Sequence, residues 1–366
     1  MSDQNDTIVI GAGLAGISLA RQLHAAGQSV QLLESRDRLG GRIHTIDGFD
    51  MGPAWFWPGQ PRMADRAQMH GLRVFEQFSK GAVIFEQSDG QVMRDMGFAS
   101  MRGSLRLSGG LATLVQAEAA VLPSEIVHLS APVKSITRDG STVRVVYTRA
   151  GQDHTVCANR AVLAMPPRVA ERAIRFEPEL PESTRQAMQN VPTWMAGQAK
   201  IIATYDRAFW RDAGFSGDAM SRRGPLVEIH DASPSQGGPF ALFGFVGIPV
   251  SAREDAASLK KACVTQLANI FGPAASSPQS VHLKDWAVDP YTATPADHAP
   301  VHAHPEYGLP YPMRDLWDTR LIFAGTEVAT QFGGYLEGAL EAADTAAHQI
   351  LQSTDSARIQ GCIPVE

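Results

Sequence analysis

Apolar positions gather into two short runs at the start of the chain. Thr7-Ile8-Val9-Ile10 leads into Gly11-Ala12-Gly13-Leu14-Ala15-Gly16, an apolar stretch follows, and residues 30–33 form a second run that stops at Glu34. The pattern predicts a strand, a glycine turn, a helix opening near Leu14 and a second strand closed by an acid. Towards the other end, residues 320–327 read as a buried strand ending in a polar turn, and Gly333-Gly334-Tyr335-Leu336-Glu337-Gly338-Ala339 opens an Ala-rich helix reaching about Gln352. Residues 199–205, 225–230 and 240–246 alternate or run apolar as strands do. Residues 251–271 have helical periodicity, with Leu259, Ala262, Cys263, Leu267 and Ile270 on one face. The middle of the chain is expected to form a mixed sheet with helices on one side.

The glycine turn carries the first chemistry. Gly11 allows a tight turn, Gly13 lets a pyrophosphate approach the backbone, Gly16 lets the helix pack on the sheet, and Glu34 can bind the hydroxyls of a ribose. A helix N-terminus near Leu14 and Ala15 favours phosphate through its N–H groups and dipole. Small residues also occur wherever a helix crosses a strand closely, so context matters: the triplet follows a strand, opens a helix and has its acid about twenty residues further on. Just beyond comes Arg38-Leu39-Gly40-Gly41-Arg42. A second glycine pair with a guanidinium points to FAD rather than NAD.

Composition narrows the setting. At 366 residues, 44% hydrophobic and 19% charged, the chain can build two domains with real cores. A net charge of −6 argues against nucleic acid or an acidic membrane surface as partner. Cys157, Cys263 and Cys362 are widely spaced without a paired or metal-like motif, and the eleven histidines show no ligand pairs on one helix face. His298, His302 and His304 lie in a Pro-rich loop and are expected to be solvated or to line a cleft, so no metal is implied. No targeting segment precedes the first strand and no apolar run is long enough to span a bilayer, so a soluble, cytoplasmic protein is expected.

With both ends read, the chain resembles the flavin-containing monoamine oxidase family, as a short, bacterial-type member. Internal stretches agree: Asp50-Met51-Gly52-Pro53-Ala54-Trp55 with Pro58, Gln60 and Arg62; residues 130–136 around Val133; residues 161–167; and residues 200–205 ending at Phe209-Trp210. The resemblance implies an α/β, two-domain flavoprotein: a Rossmann-like FAD-binding domain and an interleaved substrate domain of mixed sheet plus helices. The FAD domain would take residues 1–60, 104–170 and 286–352, the substrate domain 61–103 and 171–285, and a C-terminal tail 353–366. Cofactor contacts would come from Gly11, Gly13, Leu14, Ala15, Gly16, Glu34, Ser35, Gly41, Arg42, Ala54, Trp55, Val133, Trp286, Gly325, Glu327, Gly334, Tyr335 and Leu336. Lys200 would reach the flavin N5 through a water, and Tyr335 would be one ring of an aromatic pair guiding the amine nitrogen. The plainer alternatives are an edge-strand lysine whose ammonium reaches water and a core tyrosine with a locally satisfied hydroxyl.

The chain departs from the family in three places. Pro295 stands where covalently flavinylated members carry a cysteine, so FAD is expected to be non-covalent. Ala296 stands where the second aromatic would be, which leaves half the aromatic pair missing unless Trp55, Phe56, Trp57 or Phe332 swings in. Between Trp57 and Ser104 the usual long helical cover is cut short, which permits a broad or open site and leaves the oligomeric state open.

The implied reaction is hydride removal from the carbon beside an amine nitrogen, giving an imine that water hydrolyses, with dioxygen returned as hydrogen peroxide. Three alternatives remain open at this point. An L-amino acid oxidase would need a cation for the carboxylate, with Trp55 in its usual place and Arg62 or Arg102 as substitutes. A flavin desaturase or dehydrogenase shares the flavin motifs, and an FAD-binding regulatory protein would explain the shortened cover. The amine itself is not legible in the sequence.

Overall fold

The computed structural model describes residues 5–95, 97, 99–299, 301 and 303–360, the last seven by their backbone alone. Cys362 and His302 lie outside the described residues. The chain forms two compact units, each made of separated segments: Met1–Arg42, Leu114–Trp194 and Val301–Glu366 in the first, Ile43–Thr113 and Met195–Pro300 in the second. Relative to the boundaries expected from sequence, residues 43–60, 104–113 and 286–300 fall in the second unit and residues 171–194 in the first.

The first unit is built on an eight-stranded sheet ordered Arg175–Glu177, Val133–Asp139, Thr142–Arg149, Gln152–Leu163, Asn5–Ile10, Val30–Leu33 and Val127–His128, with Leu321–Phe323 also pairing Gln152–Leu163. Asn5–Ile10 runs parallel to both its neighbours, and Ile8, Val9 and Ile10 are all buried. A parallel strand covered on both faces reads as a continuous apolar run, which is why this element was plain in the sequence. The glycine turn delivers the chain into the helix Leu14–Ala25, which packs against the long helix Leu336–Gln360. That second helix runs eight residues past the expected end at Gln352, so residues 353–360 are helical rather than tail. Once a helix is nucleated each further residue adds a hydrogen bond, and Ser353, Thr354, Asp355 and Ser356 lack the Gly or Pro that would stop it.

The second unit holds a seven-stranded sheet ordered Ser280–Asp285, Ala199–Tyr205, Phe240–Val246, Leu226–Asp231, Phe215–Ser221, Ala82–Glu86 and Val92–Arg94. The sheet is mixed, because Phe215–Ser221 pairs parallel with Ala82–Glu86 while the other pairs are antiparallel. Period two divides the strand Ala199–Tyr205 between two faces. Ala199, Ile201, Ala203 and Tyr205 share a core with Leu259, Cys263, Leu267 and Ile270 of the helix Ala256–Phe271, whereas Ile202 joins Met51 and Phe243 on the opposite side. Lys200 therefore points to the side of Met51 and Phe243, away from the helix.

That helix starts later than residue 251, because Asp255 caps it by accepting hydrogen bonds from Ala257 N and Ser258 N, both at 3.0 Å. Ala262, expected on its buried face, is exposed, and Gln266 is buried there instead. Among the described residues the segment between Trp57 and Ser104 contains one helix, Pro61–Met69. Three strands, Val74–Glu76, Ala82–Glu86 and Val92–Arg94, also come from it. No helix among the described residues is long and apolar enough to cross a membrane.

Candidate active site

In the first unit the glycine turn is held by close approach. Gly11 has φ +102°, and a side chain at Gly16 would meet the Gly11 carbonyl oxygen at 1.9 Å, so neither position admits another residue without moving the turn. A side chain at Gly13 would meet nothing nearer than the Gly40 carbonyl at 3.9 Å, which leaves this stretch of backbone open to a ligand. Gly13 caps the helix without a side-chain acceptor, as a phosphate-binding N-terminus requires. Glu34 is buried; its Oε2 accepts from Ala12 N at 2.8 Å and its Oε1 from Arg36 N at 2.9 Å. Those bonds fix the carboxylate beside the turn and leave lone pairs for ribose hydroxyls.

Glu327 follows the strand Leu321–Phe323 and is fully buried. Arg42 Nη1 stands 2.6 Å from its Oε1, but without hydrogen-bond geometry, and neither carboxylate oxygen has a hydrogen-bond donor among the described residues. A buried carboxylate held by charge alone is costly. It fits a site completed by a hydroxyl-bearing or amide-bearing group, and FAD carries both. Val133 is buried at an irregularity in its strand, where the pairing with Thr142–Arg149 shifts between Val133 and Ser135. Ser35 follows Glu34 directly.

The loop that enters the long helix is braced from two sides. Glu341 accepts hydrogen bonds from Thr330 N at 2.8 Å, Gln331 N at 3.0 Å and Phe332 N at 3.1 Å, and the Thr326 hydroxyl donates to the Tyr335 carbonyl at 2.8 Å. Tyr335, just before Leu336, is 37% exposed, which excludes the core-tyrosine alternative. Its ring is stacked on His304, with centroids 4.7 Å apart and planes 12° apart. Nothing in the sequence singled out His304 except its Pro-rich loop.

In the second unit the edge-strand alternative for Lys200 also falls. The strand Ala199–Tyr205 lies between two others, and Lys200 is 2% exposed. Its Nζ donates to the Gly52 carbonyl at 3.1 Å and sits 3.9 Å from the Phe243 ring centroid, with Trp55 at 5.9 Å and Phe245 at 6.0 Å. Burial pushes the ammonium down to about 7; buried Asp50 raises it and Arg106 lowers it further. Burial likewise holds the Asp50 carboxyl above its usual range, although Thr45 and the Leu111 N–H donate to it.

The residues around Lys200 come from the expected segment. Gly52 accepts from Lys200, Met51 O accepts from Trp286 Nε1 at 3.0 Å, and Ala54 is buried beside Trp55. The structure thus gathers Ala54, Trp55, Trp286 and Lys200 around residues 51–52 in the second unit. In the first unit it gathers Gly11, Gly13, Leu14, Ala15, Gly16, Glu34 and Gly41 at the turn, and Gly325, Glu327, Gly334, Tyr335 and Leu336 at the helix entry.

A buried polar cluster in the second unit was not foreseen. His230 is wholly buried, with Nδ1 3.1 Å from Asp218 Oδ1 and Nε2 2.8 Å from Glu228 Oε1, and its ring packs against Trp55 and Phe243. Burial works against its charge, but the hydrogen bonds to the two carboxylates hold its pKa above the usual value. Charged residues spaced along a strand look like a solvated face in sequence, so no signal marked this cluster. Among the described residues no group of His, Cys, Asp and Glu is arranged to hold a metal ion.

Comparison with known proteins places these features in a family. The family model for flavin containing amine oxidoreductases matches residues 14–94 and 70–351. Flavin-containing amine oxidase B of Sus scrofa is 24% identical, over 96% of this chain and 87% of that protein; amine oxidase A of the same species is 24% identical, over 95% and 85%. Among solved structures, cyclohexylamine oxidase from Brevibacterium oxydans IH-35A superposes with a TM-score of 0.79 at 21% identity, covering 96% of this chain and all of that one. A putrescine oxidase bound to putrescine gives 0.79 at 20% identity with the same coverage. At these identities the solved structures establish the fold, and the family model, spanning most of the chain, establishes the kinship. The chain belongs to the flavin-containing amine oxidoreductase family, and the relatives it matches over most of their length are flavin-containing amine oxidases.

Proposed function

We propose that this enzyme oxidises the C–N bond of an amine carrying an α C–H, with Tyr335 and Lys200 serving different halves of the turnover. FAD would be held by the N-terminal turn at Gly13, Leu14, Ala15 and Gly16, by Glu34 and Ser35, by Gly41 and Arg42, by the backbone at Val133, and by the buried Glu327 beside Gly325. Ala54, Trp55, Trp286, Gly334 and Leu336 would contact the ring system. Pro295, where a thioether would need cysteine, supports a non-covalent cofactor. Bound FAD supplies a hydride acceptor for the amine α-carbon and a two-electron donor to dioxygen, so that an imine and hydrogen peroxide leave.

The observation that carries the reading is Lys200. A lysine buried in an interior strand, with its Nζ fixed on the Gly52 carbonyl, is neither a packing residue nor a surface charge. Burial brings its ammonium into the range where it gains and loses a proton near neutral pH. It can hold a positive charge, or orient a water, where reduced oxygen species form. Tyr335 offers its exposed ring to the amine nitrogen, whose α-carbon it orients. The two described cysteines, Cys157 and Cys263, are free thiols, which supports a reducing, cytoplasmic setting.

The test is an anaerobic screen of primary, secondary and polyamines against the purified yellow protein. One class should bleach the flavin and yield peroxide on admission of air. If no amine bleaches it while another carbon acid does, the desaturase or dehydrogenase alternative replaces this reading.

A further inference from the structure

Four aromatic rings meet at Gly334. His304 lies face to face with Tyr335 and edge-on to Trp194, 4.9 Å away at 61°, and to Tyr307, 5.5 Å away at 80°. The Tyr307 hydroxyl donates to the Pro192 carbonyl at 2.9 Å, which fixes that wall. The two glycines make room for the rings. A methyl at Gly333 would stand 2.2 Å from Tyr307 Cβ. One at Gly334 would stand 2.9 Å from Tyr307 Cε2, 3.1 Å from His304 Nε2 and 3.2 Å from Trp194 Cβ. The imidazole therefore occupies a slot with three aromatic walls and a glycine floor.

Burial does not explain the arrangement, because His304 is exposed and Tyr335 is 37% exposed. Parallel stacking of two half-solvated rings contributes little to the core but fixes a ring plane. We propose that His304 is a positioning residue for amine recognition: by stacking on Tyr335 it locks the plane of that ring. A centroid separation of 4.7 Å leaves no layer for a ligand between the two rings. The pair thus acts as one wall, and the amine meets the remaining face of Tyr335. The inference rests on the reading that Tyr335 receives the amine.

The test uses the FAD-loaded enzyme and an unreactive probe, cumylamine, which has no α C–H and cannot be oxidised. Its dissociation constant is measured by calorimetry for wild type, His304→Ala, His304→Phe, Tyr335→Ala and the Tyr335→Ala/His304→Ala double variant. His304→Ala should weaken binding about fivefold, the size of one aromatic pair. His304→Phe should restore binding to within about twofold, because a flat ring can keep the stack. In the Tyr335→Ala background, removal of His304 should cost nothing more, since coupled residues are not additive. A purely structural role would give losses that multiply and no rescue by phenylalanine. Wild-type affinity in His304→Ala, multiplying losses, or a wild type that does not bind the probe would each overturn the proposal. A wild type that binds cumylamine but is bleached by no reactive amine would overturn the amine-oxidation reading and leave the role of His304 standing.

Discussion

Replacing Lys200 by Met removes a buried cation and keeps a flexible side chain of similar length. The interval from 10.5 down to about 7 for its ammonium corresponds to roughly 5 kcal/mol of penalty on the charged form in the folded state. Because the native state binds this proton less tightly than the unfolded chain, unfolding takes up a proton between about pH 7 and about pH 10.5, and wild-type stability rises with pH across that window. Below about pH 7 the native lysine is charged and the whole penalty is present. Lys200→Met should therefore unfold at a higher temperature than wild type at about pH 6, and the advantage should shrink steadily towards about pH 10. Scanning calorimetry of both proteins across that range measures the difference directly. A difference that stays constant with pH would mean that Lys200 does not titrate in the window its burial dictates.

Acid or heat precipitation should release all the yellow chromophore as free FAD, because Pro295 cannot form a thioether; flavin remaining in the pellet would show a covalent link elsewhere. Glu34→Ala should weaken FAD binding by about 1.5–3 kcal/mol, the size of hydrogen bonds to a charged acceptor, and unchanged FAD retention on dialysis would remove Glu34 from the ribose site. Asp255→Ala should destabilise the second unit by about 1 kcal/mol, since Asp255 caps the helix Ala256–Phe271 through two backbone N–H groups and the Ser258 hydroxyl. Denaturant titration reads that loss, and an unchanged midpoint would mean that the cap is idle.

What the sequence conveys follows from how local each signal is. Asn5–Ile10, Leu14–Ala25 and Val30–Leu33 were legible because a buried parallel strand, a glycine turn and an acid follow one another within one stretch of chain. Lys200 was legible as unusual because apolar neighbours surround it, but only the sheet order makes its strand interior and so removes the edge alternative. His304 and Tyr335 lie 31 positions apart, and nothing local announces that their rings stack. The same holds for His230, whose buried ring meets Glu228 from its own strand and Asp218 from the neighbouring one, a contact that no local signal in the sequence announces. Helix ends were read least well: Asp255 sets a start that hydrophobic periodicity alone placed too early, and the long C-terminal helix continues through polar residues that give no apolar signal.

The division of labour between Tyr335 and Lys200 is tested most directly by double-mixing stopped flow, with flavin absorbance followed first as a reactive amine is added without oxygen and then as oxygen is admitted. Tyr335→Ala should slow the loss of absorbance and leave its return at the wild-type rate. Lys200→Met should leave the loss largely intact and slow the return on the order of a hundredfold, the cost of removing one strong electrostatic contact to a developing charge. Return at the wild-type rate in Lys200→Met would remove the lysine from the oxygen half, and a wild-type flavin that bleaches but does not return in oxygen would make this protein a dehydrogenase passing its electrons to another acceptor.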